Sequence, residues 1–128
     1  MQIHQSAEDY LETILMLTQR MGRVRSIDVV NELGYTKASV SIAMKKLREN
    51  GYIAVDGEGN LTLLEPGREI AERIYSRHRL LTHFFVQLGV DEEVAAEDAC
   101  KAEHILSEQT LEKIREYALL HDAQDSVK

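Results

Sequence analysis

The stretch between residues 26 and 64 constrains the fold of this chain more than any other. Two short helical patterns, one beginning at Ser26 and one opening at Thr36, are joined by a turn that contains Gly34, a residue that tolerates a positive φ at a helix end. Two β-rich runs around the Gly-rich turn 56–60 follow, which predicts a hairpin. Two helices joined by a short turn and followed by a hairpin predict a winged helix-turn-helix.

The outward face of the helix that opens at Thr36 is polar and basic. Hydroxyls and lysines near a helix N-terminus can reach phosphates and base edges in the major groove of DNA, and Arg25 could clamp a flanking phosphate. The same two-helix geometry also serves as a packing unit in proteins that do not bind DNA. The predicted DNA-binding residues are Arg25, Thr36, Lys37, Ser39, Ser41, Lys45 and Lys46.

The distribution of charge favours a nucleic-acid partner, although the net charge is −7. Residues 1–90 carry 11 acidic and 11 basic side chains, so the acidic excess lies entirely in residues 91–128. Residues 20–48 hold seven basic side chains against two acidic ones. Because the local sign of charge governs where a phosphate backbone docks, we expect double-stranded DNA as the partner. The predicted wing, with Asp56 and Glu58 at its tip, would skirt that backbone.

Helical periodicity covers the rest of the chain. A first helix should begin near Ser6, a suitable N-cap, and a long helix should run from Pro66 to about Leu88. Two acidic helices at 92–106 and 108–121 are too short to form an independent core. We therefore expect them to pack against the long helix and against a second copy of the chain, because a palindromic DNA site requires a two-fold homodimer. The expected fold is mainly α, with a winged helix-turn-helix domain at 1–65, an all-helical dimerisation domain at 66–121 and a flexible tail at 122–128.

Cysteine content and hydropathy bear on the location of the protein. Its single cysteine cannot form an intrachain disulfide, which suits a reducing compartment. The sequence contains neither an apolar run of membrane-spanning length nor a signal-peptide pattern. We therefore expect a soluble cytoplasmic protein with no membrane partner.

Three potential metal ligands fall close together near the C-terminal end. Cys100, Glu103 and His104 occupy positions i, i+3 and i+4, which share one face if the segment is helical. Thiolate, carboxylate and imidazole are all ligands of transition metals. A lone cysteine is more often a small buried apolar residue, and Glu and His are common on solvated helix faces. The triplet alone leaves both interpretations open.

Further donor groups occur on two other predicted helices. Asp9 and Glu12 lie one turn apart at the edge of the first apolar stripe, and His78 interrupts the apolar seam of the long helix. The two carboxylates could be a capping residue and a solvated side chain, or two hard oxygen donors for one cation. His78 could equally be a core histidine whose ring nitrogens are hydrogen-bonded.

Residues 6–12 (SAEDYLE), 76–81 (SRHRLL) and 100–107 (CKAEHILS) occur together with the winged helix-turn-helix. In order and spacing, these features strongly resemble the diphtheria toxin repressor and manganese transport regulator family of metal-dependent transcription repressors. The resemblance covers nearly the whole chain. It implies a DNA-binding domain followed by a helical dimerisation domain, without the SH3-like third domain of the toxin-repressor branch. The metal ligands that it implies are Asp9, Glu12, His78, Cys100, Glu103 and His104.

The implied ligand set combines features of two branches of that family. By the resemblance, Asp at position 9 is typical of manganese-responsive members and Cys at position 100 of iron-responsive members. Carboxylates favour Mn²⁺, whereas imidazoles and a thiolate favour Fe²⁺, Co²⁺ or Zn²⁺. We expect Fe²⁺ or Mn²⁺ as the co-repressor that controls metal-uptake genes, with Co²⁺, Ni²⁺, Zn²⁺ or Cd²⁺ able to replace it in vitro.

Two other functions fit parts of the sequence. A winged-helix regulator of the multiple-antibiotic-resistance type would sense an organic ligand, and its DNA binding would be insensitive to chelators. A metal-dependent hydrolase would need an open coordination position and a free general base, whereas each candidate here already serves as a ligand. A metal-dependent repressor that is not an enzyme is therefore the favoured interpretation.

Overall fold

A computed structural model of the chain describes residues 5–127, with the side chains of residues 6–122. The chain divides into two compact units, one ending at Arg73 and the other beginning at Ile74. Among the described residues, no helix combines the length and the apolar character needed to cross a membrane. The fold is mainly helical, as predicted, and its elements are α1 (Gln5–Met21), α2 (Ser26–Leu33), α3 (Lys37–Glu49), β1 (Ile53–Val55), β2 (Leu61–Leu63), α4 (Glu65–Gln87), α5 (Glu92–Ala102) and α6 (Glu108–Val127).

The first unit contains the predicted winged helix-turn-helix. Leu11 and Ile14 of α1 are fully buried together with Val29 of α2 and Val40 of α3, so each helix contributes an apolar face to the core. Gly34 ends α2 with a φ of 73°, and its N–H donates a hydrogen bond to the carbonyl of Val30. The left-handed backbone conformation at this position costs glycine little energy and costs residues with a Cβ more. The predicted turn between the two helices is confirmed.

Strands β1 and β2 form the predicted antiparallel hairpin, with Ile53 opposite Leu63. The chain just before α2 pairs with the same hairpin. The N–H of Leu61 donates to the carbonyl of Val24 at 2.7 Å, and Arg25 forms a bridge with Asn60. These bonds attach the wing directly to the start of the helix-turn-helix.

Asp56 closes the turn at the tip of the wing. Its carboxylate accepts hydrogen bonds of 2.9 Å from the backbone N–H groups of Glu58 and Asn60, and a further bond of 3.0 Å from the side-chain amide of Asn60. These donors, those of Asn60 first, hold the pKa of the Asp56 carboxyl below its usual range. The acidic residue at the tip therefore has a structural role as an ionised turn cap.

The division between the units falls inside α4, whereas the sequence predicts a domain boundary after residue 65. The first turn of α4 lies against the hairpin. The N–H of Leu64 donates to the carbonyl of Tyr52 at 3.0 Å, and Gly67 is buried beside the same carbonyl. The start of this long helix thus belongs to the first unit.

Two helix ends differ from the prediction. Helix α1 already includes Gln5, so Ser6 lies inside its first turn and is not the predicted N-cap. Helix α6 continues to Val127, so the predicted flexible tail 122–128 is helical as far as that residue, and Lys128 lies outside the described residues. Residues 108–127 contain neither Gly nor Pro, so nothing in the backbone chemistry stops the helix at 121.

The second unit has a small core of its own, which contains Leu81 of α4, Ala99 of α5 and Leu111 of α6. Helix α6 buries Leu111 and Ala118, whereas Leu119 is 62% exposed. This unit leaves apolar surface available for association with another molecule. Its exposed large apolar side chains include Val86, Leu88, Val94, Ile105, Tyr117, Leu119 and Leu120.

We predict that Gly67→Ala destabilises the protein. A Cβ at this position would overlap the carbonyl oxygen of Tyr52, which is fixed by its bond to Leu64. Overpacking costs typically about 1–3 kcal/mol, more than the roughly 0.5–1 kcal/mol that alanine gains over glycine in a helix. Urea unfolding should therefore show a lower midpoint. Gly57→Ala is the control, because a Cβ there meets nothing within 4 Å, and an equal midpoint for the two variants would contradict the prediction.

Candidate functional site

Glu103 and His104 lie in the turn that follows α5, and not on the helix that was predicted to reach residue 106. Helix α5 ends at Ala102, where the N–H of Ile105 donates to the Ala102 carbonyl three residues back, at 3.1 Å, as in a 3₁₀ turn. Glu103 retains a right-handed helical backbone, with φ −60° and ψ −23°. Glu103 therefore lies one helical turn after Cys100, as the i, i+3 spacing of the two residues predicts.

The carboxylate of Glu103 is the centre of the second unit's cluster of donor groups. It is completely buried, at 0% exposure, and each of its oxygens lies near an imidazole. Oε2 lies 3.0 Å from Nδ1 of His78, and Oε1 lies 3.4 Å from Nε2 of His104. The His104 side chain is itself only 1% exposed. A carboxylate is tolerated away from water when hydrogen bonds, counter-charges or a metal compensate its charge.

The separation of these donor atoms fits a shared transition metal ion. Two ligand atoms that are each about 2.1 Å from one ion lie about 3.0 Å apart at a right angle and about 3.4 Å apart at a tetrahedral angle. The two observed separations, 3.0 and 3.4 Å, fall in this range. The longer one exceeds an ordinary N–H···O hydrogen bond. Each imidazole therefore lies at a distance from a Glu103 oxygen that two ligands of one Mn²⁺, Fe²⁺ or Zn²⁺ ion can have.

Arg77 is not among the predicted site residues, but it holds the backbone of this cluster in place. Its guanidinium donates a 3.3 Å hydrogen bond to the backbone carbonyl of Glu103 and also pairs with the carboxylate of Glu108. One side chain of α4 thus holds both the turn after α5 and the first residue of α6. The only sequence signal for this role is its position next to His78. The Thr82 hydroxyl donates to the His78 carbonyl, one turn earlier on α4, at 2.8 Å.

The two acidic candidates of the first unit lie on α1. Asp9 is half-buried, and Glu12 is only 5% exposed, on a stretch of helix that also carries the fully buried Leu11 and Ile14. The explanation of Glu12 as a solvated side chain is therefore wrong. Glutamate is almost never buried to this extent unless its charge is compensated.

Cys100 lies on the exposed side of α5. The explanation of this residue as a small buried apolar side chain is therefore also wrong. Its sulfur is accessible one helical turn ahead of Glu103, and its assignment as a ligand remains a prediction.

Helix α3 separates an apolar face from a polar one. Val40, Met44 and Leu47 are buried, whereas the predicted DNA-contacting residues are all exposed. Arg25, at the N-cap of α2, is exposed as well. The exposed set has the positive charge and the hydroxyl groups that a phosphate backbone requires, and its members on and next to α3 are Thr36, Lys37, Ser39, Ser41, Lys45 and Lys46.

Thr36 and Ser39 also have a structural role at the start of α3. The Thr36 hydroxyl accepts a 3.1 Å hydrogen bond from the backbone N–H of Ser39 and donates a 2.8 Å bond to the Ser39 hydroxyl. This is an N-cap, which satisfies one of the N–H groups that a helix leaves unpaired at its start. The Thr36 hydroxyl therefore holds the helix at the end that would approach DNA.

Comparison with known proteins assigns the two parts of the chain separately. Residues 2–61 match the family described as the N-terminal DNA-binding domain of iron-dependent repressors. Residues 64–120 match the family described as the metal-binding and dimerisation domain of iron-dependent repressors. Together the two matches span nearly the whole sequence.

Individual relatives agree with these matches. A transcriptional regulator of the helix-turn-helix type from Methanocaldococcus jannaschii is 36% identical over 113 residues, which are 87% of this chain and 90% of the relative. The regulator MntR of Bacillus subtilis is 32% identical over 123 residues, which are 96% of this chain and 87% of the relative.

Solved structures share the fold. A manganese-dependent transcriptional repressor in complex with manganese superimposes with a TM-score of 0.80 at 28% identity, over 88% of this chain and 52% of that one. IdeR of T. acidophilum also gives 0.80, at 23% identity, over 91% of this chain and 55% of that one, which shows the fold alone. The chain thus spans about half the length of these solved structures.

We predict that Thr36→Ala lowers stability by about 1 kcal/mol, the usual cost of losing a threonine N-cap. Thr36→Ser keeps the capping hydroxyl and is the matched control. Urea unfolding at a fixed protein concentration would measure both variants. If alanine and serine at this position gave the same midpoint, the Thr36 hydroxyl would not be the cap that holds α3.

Proposed function

This chain belongs to the iron-dependent repressor family of transcription regulators, and we propose that His78, Glu103 and His104 hold the divalent metal ion that controls its binding to DNA. Members of this family are metal-dependent transcriptional repressors and not enzymes. The observation that carries the proposal is the completely buried Glu103 carboxylate, which has an imidazole near each of its oxygens.

We propose Asp9, Glu12 and Cys100 as the remaining ligands. Support for Glu12 comes from its buried carboxylate on an otherwise apolar part of α1, and Asp9 lies one turn ahead of it. Support for Cys100 comes from its position one turn ahead of Glu103, with its thiol accessible. Each of the three also matches the motif positions on which the family resemblance rests.

We propose Fe²⁺ or Mn²⁺ as the physiological ion. The three carboxylates of the set favour Mn²⁺, as does the likeness to MntR and to a repressor in complex with manganese. The accessible thiol of Cys100 favours Fe²⁺. Because affinity alone would select Zn²⁺ or Cu²⁺ over both, the free concentrations of these ions in the cell must contribute to the choice.

The proposed ligands come from α1, α4, α5 and the turn that follows α5. When bound, the ion supplies positive charge that offsets three carboxylates. Without a counter-charge, the carboxylates of Asp9, Glu12 and Glu103 repel one another at a common site. Arg77 holds the backbone of Glu103 through its hydrogen bond to the carbonyl.

In the proposed mechanism, two copies of the chain bind a palindromic operator. The α3 helices of the homodimer would enter half-sites about one helical turn, ~34–36 Å, apart. A coupling of about 1–3 kcal/mol between metal and DNA binding would change DNA affinity roughly 5- to 150-fold. We propose that the targets are genes of metal uptake and that the protein acts in the cytoplasm, where its operator DNA is accessible.

The alternative, a winged-helix regulator that senses an organic ligand, has less support. Such a protein would need an apolar crevice for its ligand, whereas the polar groups buried in the second unit include a carboxylate and an imidazole. A sensor of an organic ligand would bind DNA independently of divalent ions.

We predict that Glu103→Gln raises the metal concentration needed for DNA binding by about 100-fold or more, because even residues that only support metal ligands are worth 10–100-fold in affinity. The measurement is a gel shift on a palindromic duplex selected from a random pool. It would be carried out with Mn²⁺, with Fe²⁺ under anaerobic conditions, with Zn²⁺ and with chelator. Isothermal titration with Mn²⁺ would measure metal binding without DNA.

Glu112→Gln is the matched control, because it removes one exposed carboxylate from α6. It should behave as the unmodified chain does. Circular dichroism would verify that both variants are folded. DNA binding that persists in chelator and in Glu103→Gln would refute the metal switch and favour the organic-ligand sensor.

We also predict that Asp9→Met shifts the metal response from Mn²⁺ toward softer ions, because a thioether replaces a hard oxygen donor. The ratio of the Mn²⁺ and Co²⁺ concentrations that give half-maximal DNA binding should rise about tenfold or more. Asp91→Met, which replaces an exposed aspartate before α5, is the control. An unchanged ratio in Asp9→Met would remove Asp9 from the ligand set.

A further inference from the structure

An apolar side chain lies in the middle of the otherwise polar outward face of α3. Ile42 is 58% exposed, although it lies only two residues from the buried Val40 and Met44. Ala38, one turn earlier on the same face, is also exposed. Because helical side chains point toward the N-terminus, Ile42 covers the surface near Ala38. The two residues therefore form one small apolar patch, and Ile42 takes no part in the core.

Neither helix formation nor packing explains an isoleucine at this position. Isoleucine is a weaker helix former than lysine, arginine or glutamine because its β-branch loses rotamer freedom in a helix. Exposure also leaves its apolar surface in water. Single exposed apolar residues are common on proteins, so exposure alone does not assign a role. The residues around Ile42 on α3 indicate its role.

Cations and hydroxyls surround the patch on α3. Lys37, Ser41, Lys45 and Lys46 are all exposed. Lys45 also approaches the Glu49 carboxylate at 4.0 Å, which leaves it on the surface and available to a stronger anionic partner. A surface that pairs apolar area with positive charge matches the major groove of DNA, where phosphates flank the base edges. The apolar group that a base edge presents in that groove is the 5-methyl group of thymine.

We propose that Ile42, together with Ala38, contacts thymine 5-methyl groups in the major groove and so contributes to the sequence specificity of the repressor. The inference rests on the proposed function, since it requires α3 to enter the groove. It assigns base recognition to a residue outside the predicted DNA-binding set, whose lysines and Arg25 would mainly neutralise phosphates. Apolar contact with the methyl group distinguishes thymine from cytosine and from uracil.

The test compares thymine with deoxyuridine, which lacks only the methyl group. A duplex is selected from a random pool by the metal-loaded unmodified chain, and it is then synthesised with thymine or with deoxyuridine at its T positions. Affinity should fall about 3- to 5-fold for each contacted methyl that is removed, the worth of burying one carbon. Ile42→Ala should bind the thymine duplex more weakly and should bind both duplexes almost equally.

Ile27→Ala is the matched control. Ile27 is an isoleucine on α2 that is 44% exposed, and its replacement should leave the preference for thymine unchanged. Lys46→Ala should weaken binding to both duplexes by the same factor, because a phosphate contact does not sense the methyl group. Circular dichroism verifies that each variant is folded.

Three results would overturn the proposal. One is an unmodified chain that binds both duplexes equally, and another is a selected duplex without thymine in its half-sites. The third is an Ile42→Ala variant that keeps the full preference, because a different residue would then read the methyl group. Failure of the unmodified chain to bind any duplex with metal present would overturn the proposed function as well, so the two failures are distinguishable.

Discussion

A carboxylate withdrawn completely from water is the constraint on which the second unit depends. An isolated buried charge costs several kcal/mol even after the protein relaxes around it, so Glu103 can remain buried only if its surroundings compensate it. The chain meets this requirement with an imidazole near each oxygen, at 3.0 and 3.4 Å. The early end of α5 and the bond from Arg77 fix the backbone that carries the carboxylate. The packing of this unit and the metal site proposed for it thus depend on the same carboxylate.

The DNA-facing side of the first unit differs from the buried carboxylate of the second unit. Its charged groups are exposed, and the backbone beneath them fixes their positions. The Thr36 cap fixes the start of α3, and Gly34 sets the direction in which the chain enters it. Asp56 stabilises the wing turn as an ionised cap. A surface that binds a phosphate backbone keeps its cations hydrated until they bind.

Elements with a strong local signal could be predicted from the sequence, and features that depend on distant contacts could not. The turn at Gly34, the hairpin and the long α4 follow from glycine chemistry and from apolar periodicity, and all are present. The family motifs identified His78, Glu103 and His104, and the structure brings these three together. The end of α5 was missed because a 3₁₀ turn at Ala102, and not a Gly or a Pro, follows the helix. Arg77 was missed because its partners lie 26 and 31 residues away in the sequence.

The exposed leucines of α6 have a consequence for how this repressor assembles. Leu119 and Leu120 are removed from water only if another surface covers them, and we expect a second copy of the chain to provide it because residues 64–120 match a dimerisation domain. Folding and pairing are then linked by mass action, so the stability of the chain rises with its concentration. A regulator present in few copies per cell would be diluted toward single chains. Two half-sites on one duplex counteract that dilution, because they raise the effective concentration of one subunit near the other.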